Sequence, residues 1–264
     1  MITSDYLLLI LVVAFVLNET NVKMNIAIDI GNTFAKIAFF EGNTLLRFEK
    51  GVKIENLAQL IDSTKYPLVI SSVTKTTQEL EQIFEAFEQK LILNPATALP
   101  IQNNYDTPLT LGADRLAAAV GAHFLFPKQH CLIIDMGTAI KYDYVSKAGV
   151  FEGGIISPGM KIRFQALHTF TKRLPLLEAE GIPPLIGKST KGCIQSGVVN
   201  GIIQEANGLM AEYKKKRPCK VILSGGDATF FEMSLKKPTF VIPEIVLIGL
   251  NQILSHHLKD KAKG

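Results

Sequence analysis

The chain has 264 residues, 47% of them hydrophobic, and a formal net charge of +4. That is enough apolar material for one large domain or two of ordinary size, and it excludes a disordered or fibrous chain. The three cysteines, Cys131, Cys193 and Cys219, are scattered and odd in number, so neither a disulfide framework nor a zinc site is written here and a cytoplasmic setting is expected.

From the N-terminus, residues 6–17 form an unbroken apolar run of twelve, too short to span a bilayer comfortably. The run lacks the preceding positive charge and the small-residue cleavage site of a secretory signal. Met24 stands directly before the first strand-like segment, so residues 1–23 are expected to be an extension, with the working chain starting at Met24. On that reading no stable membrane association is expected; a membrane anchor is the alternative.

Strands are expected at 25–29, 34–40 and 44–50, the last two joined by the turn Glu41-Gly42-Asn43. A helical stretch at 54–61 precedes a buried strand at 68–72. An amphipathic helix at 77–89 carries Leu80, Ile83, Phe84 and Phe87 at helical spacing. Residues 94–108, rich in Pro, Asn and Thr, read as an ordered loop, and a helix at 113–126 follows. The opening pattern then starts again, with a strand ending at Asp135 and strands at 140–145 and 149–156. Helices at 159–170 and 190–216, a strand at 221–224 and a helix at 244–258 complete the chain. Lys214-Lys215-Lys216-Arg217 falls at a helix end, where cations suit the dipole. Without an accompanying aromatic pattern it does not read as a nucleic-acid surface. The expected division is 24–128 and 129–264, two similar α/β units.

The chemistry lies in two turns. Asp29-Ile30-Gly31-Asn32-Thr33 and Asp135-Met136-Gly137-Thr138-Ala139 each follow an apolar strand and set a carboxylate, a glycine and a hydroxyl residue in order. A glycine in such a hairpin lets backbone N–H groups approach a phosphate, the hydroxyl can donate to phosphate oxygens, and the Asp can hold a metal ion or its water. One copy is more often a plain hairpin; two copies point to a grip on the phosphates of a nucleotide. In Gly112-Ala113-Asp114-Arg115 a carboxylate and a cation share the first turn of a helix. The helix dipole accounts for Asp114 but not for Arg115, which calls for an anionic partner: a substrate carboxylate or a nearby Asp. Gly187-Lys188-Ser189-Thr190 imitates the end of a P-loop, but Ile182 replaces the required glycine and prolines fill the cradle. His123, His168, His256 and His257 lack ligand spacing.

The two turns, Lys36, Gly112-Ala113-Asp114-Arg115, Gly153-Gly154-Ile155-Ile156-Ser157-Pro158-Gly159 and Leu223-Ser224-Gly225-Gly226 together resemble type III pantothenate kinase, in order from Met24 to the C-terminus. The resemblance implies duplicated ribonuclease-H-like domains of the actin-like ATPase kind, with mixed sheets and a cleft between them, normally in a homodimer. It implies ATP-dependent phosphorylation of pantothenate, the first step of coenzyme A biosynthesis. On this pattern Asp114 is the general base, and Tyr105, Gly112, Ala113, Asp114, Arg115 and Thr190 contact pantothenate, Thr190 across the dimer interface. Asp29, Ile30, Gly31, Asn32, Thr33, Phe34, Ala35, Lys36 and Thr138 bind ATP with its Mg²⁺, and Asp135 binds a monovalent cation, K⁺ or NH₄⁺. The chain departs from the family at Ile140 and Lys141, where threonines are usual. A non-catalytic nucleotide-binding regulator, or another small-molecule kinase on the same fold, is the alternative.

Overall fold

The computed structural model describes residues 24–32, 34–237 and 239–262. The apolar run at 6–17 and Thr33 lie outside the described residues. The first sheet opens with a meander, β1 (Met24–Ile30), β2 (Ala35–Glu41) and β3 (Thr44–Val52), in which neighbours run antiparallel. Two later strands, β4 (Leu68–Ser72) and β5 (Lys90–Ile92), add in parallel beyond β1, giving the order β3-β2-β1-β4-β5. Every residue of β1 after Met24 is buried. A strand covered on both faces is a continuous apolar run, not an alternating one, and the sequence of β1 shows it.

The second sheet repeats the plan. Its meander is β7 (Cys131–Met136), β8 (Ala139–Val145) and β9 (Val150–Pro158), with β10 (Lys220–Ser224) and β11 (Phe240–Val241) added in parallel beyond β7. A two-residue strand, β6 (Gln102–Asn103), lies outside β9, so the full order is β11-β10-β7-β8-β9-β6. Leaving β6 aside, the two orders are the same. The fold is the duplicated ribonuclease-H-like one.

The chain divides into two compact units: one takes in the chain up to Pro100, Thr107–Gly121 and Val246–Gly264, the other Ile101–Asp106 and Ala122–Ile245. In the first, Ile26, Ile28, Ile37, Leu68 and Ile70 of the sheet pack with Leu57, Leu80 and Phe84. A capping box between Thr76 and Glu79 starts α1 (Thr77–Ile83). That helix stops six residues short of the expected end, although Phe84 and Phe87 are both buried and meet edge-on at 5.8 Å. Their spacing continues the helical pattern through a turn, because the chain must come round to pair as β5. The stretch at 54–61 is two 3₁₀ turns, Ile54–Asn56 and Ala58–Leu60, with only Leu57 between them fully buried. One anchor is too little for a longer helix.

The helix α2 is Ala113–Leu125. In the second unit follow α3 (Met160–Thr169), α4 (Thr190–Lys216) and α5 (Ala228–Phe231). Helix α4 buries Ile194, Val198, Val199, Ile202, Ala206 and Met210, a stripe at helical spacing, against Leu132, Ile134, Ile140 and Tyr142. No helix among the described residues is long and apolar enough to cross a membrane.

The last helix, α6 (Ile245–Lys261), follows the second sheet in sequence, yet nearly all of it belongs to the first unit. Asn25 donates to Asn251 Oδ1 at 2.9 Å, Asn251 donates to the Gly42 carbonyl at 2.8 Å, and Gln252 donates to Asn43 Oδ1 at 2.8 Å. Gly249 lets α6 lie directly on α2: a Cβ there would collide with the Ala117 carbonyl and sit 2.9 Å from the Gly121 nitrogen. Backbone cannot swing aside as a side chain can, so Gly249→Ala should destabilise by about 1–3 kcal/mol. A lower midpoint in urea at unchanged slope checks this; an unchanged midpoint refutes it.

Candidate active site

In the first unit, Asp29 is the next-to-last residue of β1, followed by the buried Ile30, and is itself 8% exposed. Ser71 on the parallel neighbour β4 donates to Asp29 Oδ1 at 3.1 Å, which orients the carboxylate. Lys36 pairs with Asp29 across the β1–β2 ladder. Between them the turn closes with Gly31 N–H donating to the Phe34 carbonyl at 3.2 Å, leaving Asn32 and Phe34 exposed and Ala35 buried. Ile30 is buried, so its part in any ligand contact is through backbone. A single, firmly oriented carboxylate suits Mg²⁺, which keeps most of its water and phosphate ligands and needs one or two protein oxygens.

The same unit carries the Gly112–Arg115 element at the start of α2. The Arg115 N–H donates to Asp114 Oδ1 at 2.9 Å and also approaches the Gly112 carbonyl at 3.1 Å. A Cβ on Gly112 would stand 2.6 Å from Asp114 Oδ1, so glycine is what lets the carboxylate fold back over the helix start. Asp114 is half-buried and Arg115 is only 6% exposed. Burying a guanidinium so far from water is costly unless acceptors surround it.

In the second unit the corresponding turn sits at the end of β7. Gly137 N–H donates to the Ala139 carbonyl at 3.2 Å, and Gly159 N–H donates to the Thr138 carbonyl at 3.0 Å. A Cβ on Gly159 would strike the Gly137 and Thr138 carbonyls. Gly225, at φ +94°, closes the other side, where a Cβ would come within 2.6 Å of Asp135 Oδ1 and into the Met136 carbonyl. Asp227 N–H donates to that carbonyl at 2.9 Å, and burial pushes the Asp227 carboxyl up from its ordinary value. The turn is therefore packed by Gly159 and Gly225, glycines from separate loops.

Asp135 is an ion-pair partner. Lys141, opposite it in the β7–β8 ladder, sets Nζ 2.7 Å from Asp135 Oδ2, with 19% and 22% of the two side chains exposed. A carboxylate oxygen carrying an ammonium at that distance does not fit a potassium ion as well. The donor set as it stands fits one cation, and the lysine is in place.

Tyr105 packs on the edge of the second sheet, with Phe151 at 6.1 Å between ring centres and the bare face of Gly153 beneath it. Thr190 is exposed in the first turn of α4, which Ser189 caps by accepting the Gly192 N–H at 3.1 Å. The P-loop look-alike is thus a helix cap, and among the described residues Thr190 makes no hydrogen bond to the other site residues. Sequence reasoning missed Ser71, and it missed the network behind the Ser157-Pro158-Gly159 turn. There Arg163 donates to the Pro158 carbonyl at 2.8 Å and pairs with Glu205 at 2.6 Å, while Tyr142 and Ser157 donate to the same carboxylate. Burial and the Glu205 charge hold the Tyr142 hydroxyl protonated far above its ordinary range.

The family model of type III pantothenate kinase matches residues 25–212. The chain belongs to that family. The type III pantothenate kinase of Cytophaga hutchinsonii is 45% identical over 236 residues, covering 89% of this chain and all of that protein. Among solved structures, a Baf family protein from Campylobacter jejuni superposes with a TM-score of 0.60 at 19% identity, covering 89% of this chain and 99% of the other. A ROK hexokinase from Thermus thermophilus does so with 0.51 at 15% identity, covering 90% and 99%. At such identities the two structures speak for the fold alone. The matched family span includes both Asp-Xaa-Gly-Xaa-Thr/Ala turns and the Gly112–Arg115 element.

Proposed function

We propose that this protein transfers the γ-phosphoryl group of ATP to the primary hydroxyl of pantothenate, giving 4'-phosphopantothenate and ADP at the first step of coenzyme A biosynthesis. The observation that carries this reading is the start of α2, where Asp114 and Arg115 are consecutive residues in a chain of the pantothenate kinase family. Pantothenate carries one primary hydroxyl and one carboxylate, and the pair offers a base for the first and a fork for the second. The Asp114 carboxylate takes the hydroxyl proton as the oxygen attacks the γ-phosphorus and the bond to ADP breaks. Phosphoryl transfer otherwise asks for positioning and charge neutralisation. Gly112 and Ala113 bring backbone to the substrate, and Tyr105 offers a ring and a hydroxyl.

Asp29, Ile30, Gly31, Asn32, Thr33, Phe34, Ala35 and Lys36 form the turn assigned to the ATP phosphates, with Thr138 contributing from the second turn. Asp29 would hold the Mg²⁺ that arrives with ATP, or one of its waters, and that ion would supply charge neutralisation at the phosphates. The protein acts as a homodimer in the cytoplasm, where Thr190 of one subunit serves the substrate of the other. The direct test is phosphate transfer to pantothenate, read by mass of the product. Within it, Arg115→Ala should raise the pantothenate KM about 10- to 100-fold and change kcat little, because a charge-assisted bond to a carboxylate contributes roughly 1.5–3 kcal/mol. A thermal melt of the variant separates that effect from loss of a buried cation. An unchanged KM in a folded variant removes Arg115 from the substrate.

A further inference from the structure

We infer that the Lys141 ammonium is a built-in replacement for a monovalent cation at Asp135, so that this enzyme needs no added K⁺ or NH₄⁺. The inference rests on the kinase reading for its rate measurement, and on the ion pair itself for its binding measurement. The ammonium group is chemically an NH₄⁺ on a tether. It lies 2.7 Å from Asp135 Oδ2, the carboxylate expected to hold the free ion.

The placement is built in by the fold. Asp135 and Lys141 are register partners across a hairpin whose last paired residues, Met136 and Ile140, are joined by Gly137-Thr138-Ala139, so the same side of the ladder carries both side chains. Both are about four-fifths buried, which separates them from a solvent-exposed pair with little net effect. Gly225 lies against the other carboxylate oxygen, where a Cβ would stand 2.6 Å from it, and Gly159 lies against the Gly137 and Thr138 carbonyls. Tethering also removes the entropy of capturing an ion from solution, as pre-organisation does for any ligand. The duplicated frame supplies a precedent within the molecule: Lys36 stands opposite Asp29 in the first sheet as Lys141 stands opposite Asp135 in the second. Asp-to-Lys across the first hairpin is thus a feature of both halves. In the second half the lysine meets the carboxylate directly.

Phosphate-transfer rates should be measured in Na⁺, K⁺ and NH₄⁺ buffers of equal ionic strength, for the wild type and for Lys141→Thr and Lys141→Ala. The wild type should run at the same rate in all three. Each variant should lose on the order of 10² in kcat in Na⁺, the usual effect of removing one preorganised electrostatic partner, and recover most of it in K⁺ or NH₄⁺. Wild-type activity that collapses in Na⁺ and returns with K⁺ overturns the inference. So do folded variants that stay inactive in every buffer, or that equal the wild type in Na⁺. A thermal melt in the same salts reads the site without catalysis: K⁺ should raise the midpoint of Lys141→Thr and leave the wild type where Na⁺ leaves it. A wild type stabilised specifically by K⁺ overturns the inference, even if pantothenate proves not to be the substrate. Absence of product in all buffers, with the melts as expected, would overturn the kinase reading alone.

Discussion

Asp114→Asn should lower kcat by about 10²–10⁴ while ATP binding stays nearly unchanged, since that is the range for removing a positioned general base. The substitution is a clean one in this setting. At the start of α2 Asp114 accepts the Arg115 N–H at 2.9 Å and, on the proposed mechanism, takes a proton from the substrate. An amide oxygen can still accept the backbone N–H, so the helix start and its glycine neighbour keep their geometry. Only the basicity goes. Asp114→Ala would mix the two effects, because losing a side-chain acceptor at a helix start costs about 0.5–2 kcal/mol by itself. Steady-state rates give kcat, and nucleotide titration followed by fluorescence gives the ATP affinity. Wild-type turnover in Asp114→Asn would make the residue a helix cap and remove the base from the mechanism. A nucleotide-binding regulator would show the unchanged ATP affinity and no kinetic defect at all, because it would have no turnover to lose.

The parts legible in the sequence were those written in local pattern. The two strand–Asp–Xaa–Gly turns stand out because β1 and β7 are central strands with unbroken apolar runs, Ile26-Ala27-Ile28 and Cys131-Leu132-Ile133-Ile134, and a carboxylate directly after such a run is conspicuous. Strand β4 and the long helix α4 fall at the expected residues. What the sequence hid depends on strands meeting across distance. Ser71 supports Asp29 only because β4 lies parallel to β1 in a register that sets the two side by side. Glu205 reaches Arg163 and Ser157 only after α4 is laid on the sheet. Helix α6 returns to the first unit through Gly249 and Asn251, neither of which has a pattern that names its partner. Lys141 is the intermediate case. As a sequence it is a departure from the threonines usual in the family; it falls opposite Asp135 only because three residues, Gly137-Thr138-Ala139, separate the last paired residues Met136 and Ile140, and a two-residue turn would have put Ile140 there instead.

Gly225→Ala should impair both folding and phosphate handling, and it tests the second turn without touching a charged residue. The position has φ +94°, outside the region side chains favour, and holding a non-glycine residue there costs about 1–3 kcal/mol. A Cβ would also press into the Met136 carbonyl and stand 2.6 Å from Asp135 Oδ1. Relief means lifting the loop after β10 away from β7 at the cost of the 2.9 Å bond from the Asp227 N–H to the Met136 carbonyl, since Met136 is held in β7 opposite Ile140 of β8. Overpacking of that kind typically costs about 1–3 kcal/mol more. The summed loss, about 2–6 kcal/mol, is a large share of an ordinary domain's stability. It should appear as a marked drop in the urea midpoint. In whatever fraction remains folded, the displaced loop should loosen the Asp135 turn and raise the KM for ATP more than that for pantothenate, because the turn is assigned to the nucleotide and the Gly112–Arg115 element is not altered. Equal rises in the two constants would mean that Gly225 serves the fold alone. A variant with wild-type stability would show that the loop closes over Asp135 less tightly than the described geometry requires.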